Sequence, residues 1–295
     1  MWQRCLLILL LFTSANVAVA ESDRFSVTTY LGLHRPALED VNRREFKSPM
    51  AGVADFVDEL GINTPTRINF DNPLPELGAA VNSGLEFQWW LSDKFVFLVG
   101  MSSWEASSRA LAKGDFFIQG QPADVVSERS ARMSYNEYFF GLRYNVISKS
   151  EKFKMYYRAT INEMFDIDFR EDIVFLFLTG DASGVKKSMI LQSQATGLLL
   201  FQPGFGGEYF LRDWLSVSLE ASYVIGLKKI ALRDGSSDSD FLPTDNLSIW
   251  LPQRISPETG NLEYISNPPK DAEDYNEMHL NFDGWKALVK MSIYF

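Results

Sequence analysis

Two histidines, His34 and His279, are the side chains of this sequence whose ordinary pKa lies near neutrality. A histidine works as a general base when a nucleophile, typically a serine hydroxyl, stands within hydrogen-bond reach. Here the chain reads His34-Arg35-Pro36 and His279-Leu280-Asn281, with no serine in either stretch. Two imidazoles without a carboxylate assigned to them also fall short of a metal site. The one cysteine, Cys5, precedes an apolar run at the amino terminus, so the chain beyond it has no thiol nucleophile, thiolate ligand or disulfide. The expectation is therefore no catalytic residue, no metal and no cofactor. What remains is charge and polarity set among apolar residues: Glu86, Gln88, Arg143, Lys154, Arg158, Glu208, Glu220, Lys286 and Lys290 each sit between apolar residues or glycine, and Glu137 lies between Asn136 and Tyr138.

That spacing needs strands. Gly284–Phe295 shows it best. Trp285, Ala287, Val289, Met291, Ile293 and Phe295 form one set; Gly284, Lys286, Leu288, Lys290, Ser292 and Tyr294 form the other. A period of two is a strand with one apolar and one mostly polar face. The same alternation predicts strands over Phe25–His34, Gly84–Leu91, Phe95–Trp104, Tyr135–Ile147, Phe153–Asn162, Thr196–Leu211 and Trp214–Leu227. Pro203 and its neighbouring glycines predict a bulge or bend in the sixth strand. Short polar turns at 92–94, 148–152 and 212–213 alternate with segments read as long loops, about 35–77, 107–132, 163–192 and 233–277. Within the first loop Ala51–Leu60 reads as a short helix. Within the third, 172–192 reads either as a hairpin extending the loop or as two further spanning strands.

Residues 1–20 place Arg4 before an apolar run and end on Ala18-Val19-Ala20, the pattern of a cleaved signal peptide. The net charge is −10, which repels nucleic acid. The last loop is the most acidic stretch, with Asp234, Asp238, Asp240 and Asp245 among its carboxylates. Its DGSSDSD run could offer oxygens to Ca²⁺ but lacks the register of a helix-loop-helix calcium site, so a solvated acidic loop is the plainer reading. Leu247, Ile249, Trp250 and Leu251 form an apolar patch within it.

Leader, period-two strands, alternating short turns and long loops, and an apolar alternation running to Phe295 together resemble the outer-membrane β-barrels of Gram-negative bacteria. The resemblance covers about residues 25–295. Small barrels of the OmpA, OmpX and OmpW groups are nearest in architecture, autotransporter-like barrels more distant. It implies an all-β, transmembrane, up-and-down antiparallel barrel of eight strands, with ten or twelve as alternatives. Partners implied are the lipid bilayer, lipopolysaccharide and the barrel-assembly machinery, which reads a closing-strand signal here formed by Trp285, Val289, Met291, Ile293 and Phe295. The ten alternating polar residues then face the interior. Trp89, Trp90, Phe95, Phe153, Tyr209, Trp214 and Phe295 form a girdle at the short-turn end. His34 and His279, on adjoining strands, come to the rim opposite. Barrel hydrolases of this class set His and Ser two apart on one strand, which neither histidine does. The leading expectation is a non-enzymatic surface protein acting through its loops. A narrow pore lined by the interior charges and a lipid-modifying enzyme are the alternatives.

Overall fold

In a bilayer every backbone N–H and C=O must find a partner inside the protein, which strands achieve by closing into a ring. The computed structural model describes residues 25–39, 41–42, 75–118, 121–146, 152–180, 183–228, 230–231, 235–239, 252–255, 262–264, 275–277 and 279–295. The signal-peptide, Ala51–Leu60 and Trp250 readings lie outside them. The strands in chain order are β1 (Phe25–Pro36), β2 (Ala80–Trp90), β3 (Phe95–Ile118), β4 (Gln121–Asn145), β5 (Phe153–Phe177), β6 (Lys186–Ala195), β7 (Leu198–Arg212), β8 (Leu215–Gly226), β9 (Ile230–Ala231), β10 (Gly235–Ser239), β11 (Pro252–Ile255), β12 (Leu262–Tyr264), β13 (Tyr275–Glu277), β14 (His279–Leu280) and β15 (Gly284–Tyr294). Eight of them close an antiparallel barrel in the order β1–β2–β3–β4–β5–β7–β8–β15. β15 seals it on β1 over Ser26↔Tyr294 to Pro36↔Gly284.

The wall has two heights. β1, β2, β8 and β15 are 11–12 residues long, the length that crosses a bilayer as a tilted strand. β3, β4 and β5 have 24–25 residues. Their upper halves, joined by β6 and β10, rise as a tall sheet on one side of the mouth. The segments read as loops 107–132 and 163–192 are thus largely strand. Their outward residues nearest the membrane strands are polar, Ser103, Glu105, Ser107, Ser130, Arg132 and Ser134 among them, so the apolar-out alternation that marks the membrane strands breaks off there. For 172–192 the structure gives the hairpin: β5 turns back as β6, which lies outside the closed ring.

β6 and β7 follow one another along β5, separated at Thr196–Gly197, where Gly197 takes φ 80°. Opposite this break β5 bulges. Its register to β4 slips between Ser134 and Asn136, and Asp166, at φ 50°, is the extra residue. Met164 and Ile167, three apart, consequently both point inward and are fully buried.

Side-chain polarity is reversed at the two heights. In the lower ring the outer face is apolar: Leu31, Trp89, Phe97, Phe140, Tyr157, Phe205, Leu219 and Trp285 are all exposed, making a lipid-type belt. Directly above it the outer face of the tall sheet turns polar, with ion pairs Arg132–Glu105 (2.7 Å), Arg109–Glu128 (2.6 Å) and Arg170–Asp172 (2.8 Å). The Asp172 carboxylate, by hydrogen bond first and charge second, raises the Arg170 pKa above its ordinary value.

Candidate functional site

The interior of the barrel is the place where functional side chains converge, and it is stacked in layers. The lowest is apolar. Trp90, Val96, Leu98 and Tyr294 are buried together with Phe210 against them. Trp90, assigned by sequence to the lipid girdle, therefore faces inward. It follows Trp89 directly, and period two sends neighbours to opposite faces. Lys154 lies over the Trp90 and Phe210 rings, at 5.1 and 4.8 Å from their centroids.

Next come the charges. Arg143 donates to Glu208, which also accepts from the Tyr294 hydroxyl and from Ser216 at 2.5 Å. The Arg143 guanidinium lies 3.9 Å from the centre of the Tyr156 ring. Above this, Arg158 and Lys290 stand between Glu86 and Glu220. Arg158 Nη1 donates to Glu86 Oε2 at 2.9 Å and to Glu220 Oε1 at 2.9 Å. Lys290 Nζ lies 3.2 Å from Glu86 and 2.6 Å from Glu220. Gln88 donates to Glu86 at 2.7 Å. Higher still, Lys286 Nζ reaches Glu137 Oε1 at 2.5 Å, while Ser102 (2.6 Å) and Asn162 (3.1 Å) complete the Glu137 carboxylate.

Glu86, Gln88, Glu137, Arg143, Arg158, Glu208, Glu220, Lys286 and Lys290 are all buried. Glu86, Glu137, Glu208 and Glu220 thus stand against Arg143, Arg158, Lys286 and Lys290 in direct ion pairs. Isolated charges in so dry a place would cost several kcal/mol each, so pairing and hydrogen bonding are what allow them there. The cavity left between Tyr30, Glu137, Arg158, Gln202 and Lys286 measures 10 Å³, room for no more than one water.

The uppermost layer is a hydrophobic core that alternation in the lower strands does not announce. Trp104, Met133, Tyr135, Met164, Ile167, Phe169, Leu198, Leu200 and Val224 line it. Leu38, Val41, Leu77, Leu280 and Phe282 enter it from the segments that bridge strand ends, and all five are buried to 1% or less. Asn42 fixes one of these segments, exchanging two hydrogen bonds with the Leu77 backbone at 3.0 and 2.9 Å.

His34 belongs to this layer and not to an open rim. It is fully buried, its Nδ1 is 2.7 Å from the Tyr135 hydroxyl, and Trp104 and Tyr135 flank its ring. His279 sits apart, on β14 paired with β9. The structure does not bring the two imidazoles together. Of the calcium-like run, Gly235–Ser239 is β10, extended along β6. Asp234 and Asp240 lie outside the described residues. Trp285, Val289, Met291, Ile293 and Phe295 project from β15 into the outer belt, at 38–74% exposure.

No protein-family model matches the chain, and no curated protein matches its sequence. Among solved structures, the outer membrane protease OmpT from Escherichia coli aligns over 96% of this chain and 100% of its own, at 8% identity and TM-score 0.25. The P. putida toluene transporter TodX aligns over 94% and 91%, at 8% identity and TM-score 0.22. A Pseudomonas aeruginosa FadL homologue aligns over 93% and 90%, at 9% identity and TM-score 0.18. Superpositions this loose bear on neither strand number nor site. The chain's own closed register, apolar outer belt and paired interior charges show the fold directly: an eight-stranded, up-and-down antiparallel β-barrel with the lipid-type outer face of a membrane-spanning one.

Proposed function

We propose that this is a non-enzymatic surface protein of the Gram-negative outer membrane, in which the barrel is a sealed anchor and the tall sheet is the working surface. The short turns face the periplasm and β3–β6 stand out from the cell. One observation carries the reading. The Glu137–Lys286 pair spans the lumen between opposite strands of the ring, with a single water-sized cavity beside it. A conducting path needs continuous hydrated space, and among the described residues apolar, charged and again apolar side chains are stacked in successive layers along the lumen. Of the two histidines, His34 is enclosed by Trp104 and Tyr135 and so withheld from substrate, while His279 is half-buried on β14.

The test is planar-bilayer recording of the refolded protein, with folding shown separately by heat-modifiable migration. A silent bilayer is expected. Steady ohmic openings that change when Arg158 is neutralised would replace this reading with that of a pore. Orientation has its own check, because Cys5 is the sole natural cysteine. With Cys5 removed with the leader, a cysteine placed at Lys113 should react with an impermeant maleimide on intact cells.

A further inference from the structure

The outer face of the tall sheet is not uniformly polar. Going up β4 from the lipid belt, outward positions read Tyr138, Asn136, Ser134, Arg132, Ser130, Glu128, then Val126. Across the sheet at that level the register is Lys113↔Val126↔Leu176↔Lys186. The row beneath it is Leu111↔Glu128↔Val174↔Ser188. Ile190 lies one row lower, opposite Asp172. Leu111 is 57% and Leu176 40% exposed; Val126, Val174 and Ile190 are half-buried by their neighbours. A second apolar patch thus follows a hydrophilic gap on the same face.

Its height excludes the bilayer as its occupant. Twelve residues of strand separate Val126 from Tyr138, which at ~3.4 Å per residue and a tilt near 40° is about 30 Å above the belt. Exposed apolar surface held away from lipid marks a protein contact.

The border says which kind. Arg109, Arg132 and Arg170 are each occupied by a carboxylate on this face. Lys113 and Lys186, at the two ends of the apolar row, are exposed and carry no ion pair among the described residues; the exposed Asp124, one row above Val126, is likewise unpaired, so these three leave the border with one positive charge in excess. Three strand spacings, about 14 Å, separate their backbones. A second copy of the chain fits badly. Two barrels sharing a bilayer meet at equal height, and a two-fold axis along the membrane normal exchanges β3 with β6. That sets Lys113 of one copy against Lys186 of the other, and Arg132 against Arg170.

We infer that Leu111, Val126, Val174, Leu176 and Ile190, with Lys113 and Lys186 at their edges, form a docking surface for another protein that offers an apolar surface bordered by carboxylates. The inference rests on the surface-protein reading above and names its partner chemistry.

The probe is a phage-displayed library of random twelve-residue peptides, selected against the full mature chain in nanodiscs. Selected peptides should combine apolar centres with Asp or Glu flanks. The Val126→Ser/Leu176→Ser variant should bind them at least tenfold more weakly while keeping heat-modifiable migration. Lys113→Glu/Lys186→Glu should shift selection towards Lys and Arg flanks. Peptides that bind the serine variant equally well, or flanks indifferent to the lysine reversal, would overturn the docking surface. So would a dimer in sedimentation that the serine variant abolishes, or cross-links from a cysteine at 176 to residues 240–251. If selection fails while the bilayer stays silent and Lys113→Cys is labelled from outside, the docking surface falls and the surface-protein reading stands.

Discussion

Glu137 and Lys286 meet 2.5 Å apart although they come from β4 and β15, which face each other across the ring. Their contact is a bolt through the lumen. Removing one charge leaves the other buried and uncompensated, which costs about 3–5 kcal/mol. Glu137→Gln should therefore lower the urea unfolding midpoint sharply in refolded vesicles. Glu137→Gln combined with Lys286→Met removes both charges, keeps a carbonyl oxygen to accept from Asn162, and turns an amide N–H towards the Ser102 hydroxyl, which can accept it. The double variant should recover more than half of the loss. If it is no more stable than the single variant, the pair is not the coupled unit described.

Strand parity is what made the membrane layer legible. Ser216, Ser218, Glu220 and Ser222 alternate with Leu215, Val217, Leu219 and Ala221 without interruption, and the structure buries the first four. The same parity placed Lys286, Lys290, Glu86 and Gln88 on one face. It also places Trp90 there, opposite Trp89, and the structure buries it; the girdle assignment of both tryptophans, resting on their bulk beside a turn, runs against that parity. Above the belt parity failed. There the solvent lies outside, so Trp104 and Ala106 turn in while Ser103, Glu105 and Ser107 turn out, and a search for apolar-out alternation sees a loop. At Asp166 the bulge resets parity altogether, so Met164 and Ile167 share a face that no fixed period gives them.

That bulge yields a second expectation. Asp166 is the surplus residue of β5, so deleting it joins Met164 and Ile167 to a regular ladder with both still inward. The deletion should cost little, within about 1 kcal/mol, since it also removes a non-glycine residue from the left-handed region. Deleting Asp172 instead shifts the strand by one and turns Phe175 and Phe177, both buried, to the outside. Expression in the outer membrane and urea midpoints should separate the two deletions clearly. Equal damage from both would mean that the bulge is required and not merely accommodated.

Adjacent glycines offer a third comparison. A Cβ on Gly206 would stand 2.4 Å from the Tyr156 ring and 2.7 Å from the Leu219 carbonyl. Tyr156 is held by Glu220 at 3.1 Å and by Arg143 over its ring, so it cannot swing aside. On Gly207, which faces the belt, the Cβ meets only Phe153 at 3.0 Å, and that ring is free to rotate into lipid. Gly206→Ala should destabilise the barrel by about 1–3 kcal/mol, Gly207→Ala by a few tenths. The pair is measured in one denaturant series, and a reversed order would refute the interior packing of Tyr156.

Phe295 separates stability from assembly. Its backbone N–H donates to Phe25 O at 2.9 Å, and the two rings lie 6.2 Å apart. The side chain is 74% exposed, so truncating it removes little buried surface. Phe295→Ala retains the backbone bond and should shift the unfolding midpoint of refolded protein by less than about 1 kcal/mol. If the ring is read by the assembly machinery, the amount of folded barrel in the outer membrane should fall several-fold all the same. A fall in cells without a matching loss in vitro assigns Phe295 to recognition during insertion. Matching losses in both would make it a structural residue of the closing seam, and wild-type levels in cells would remove it from the assembly signal.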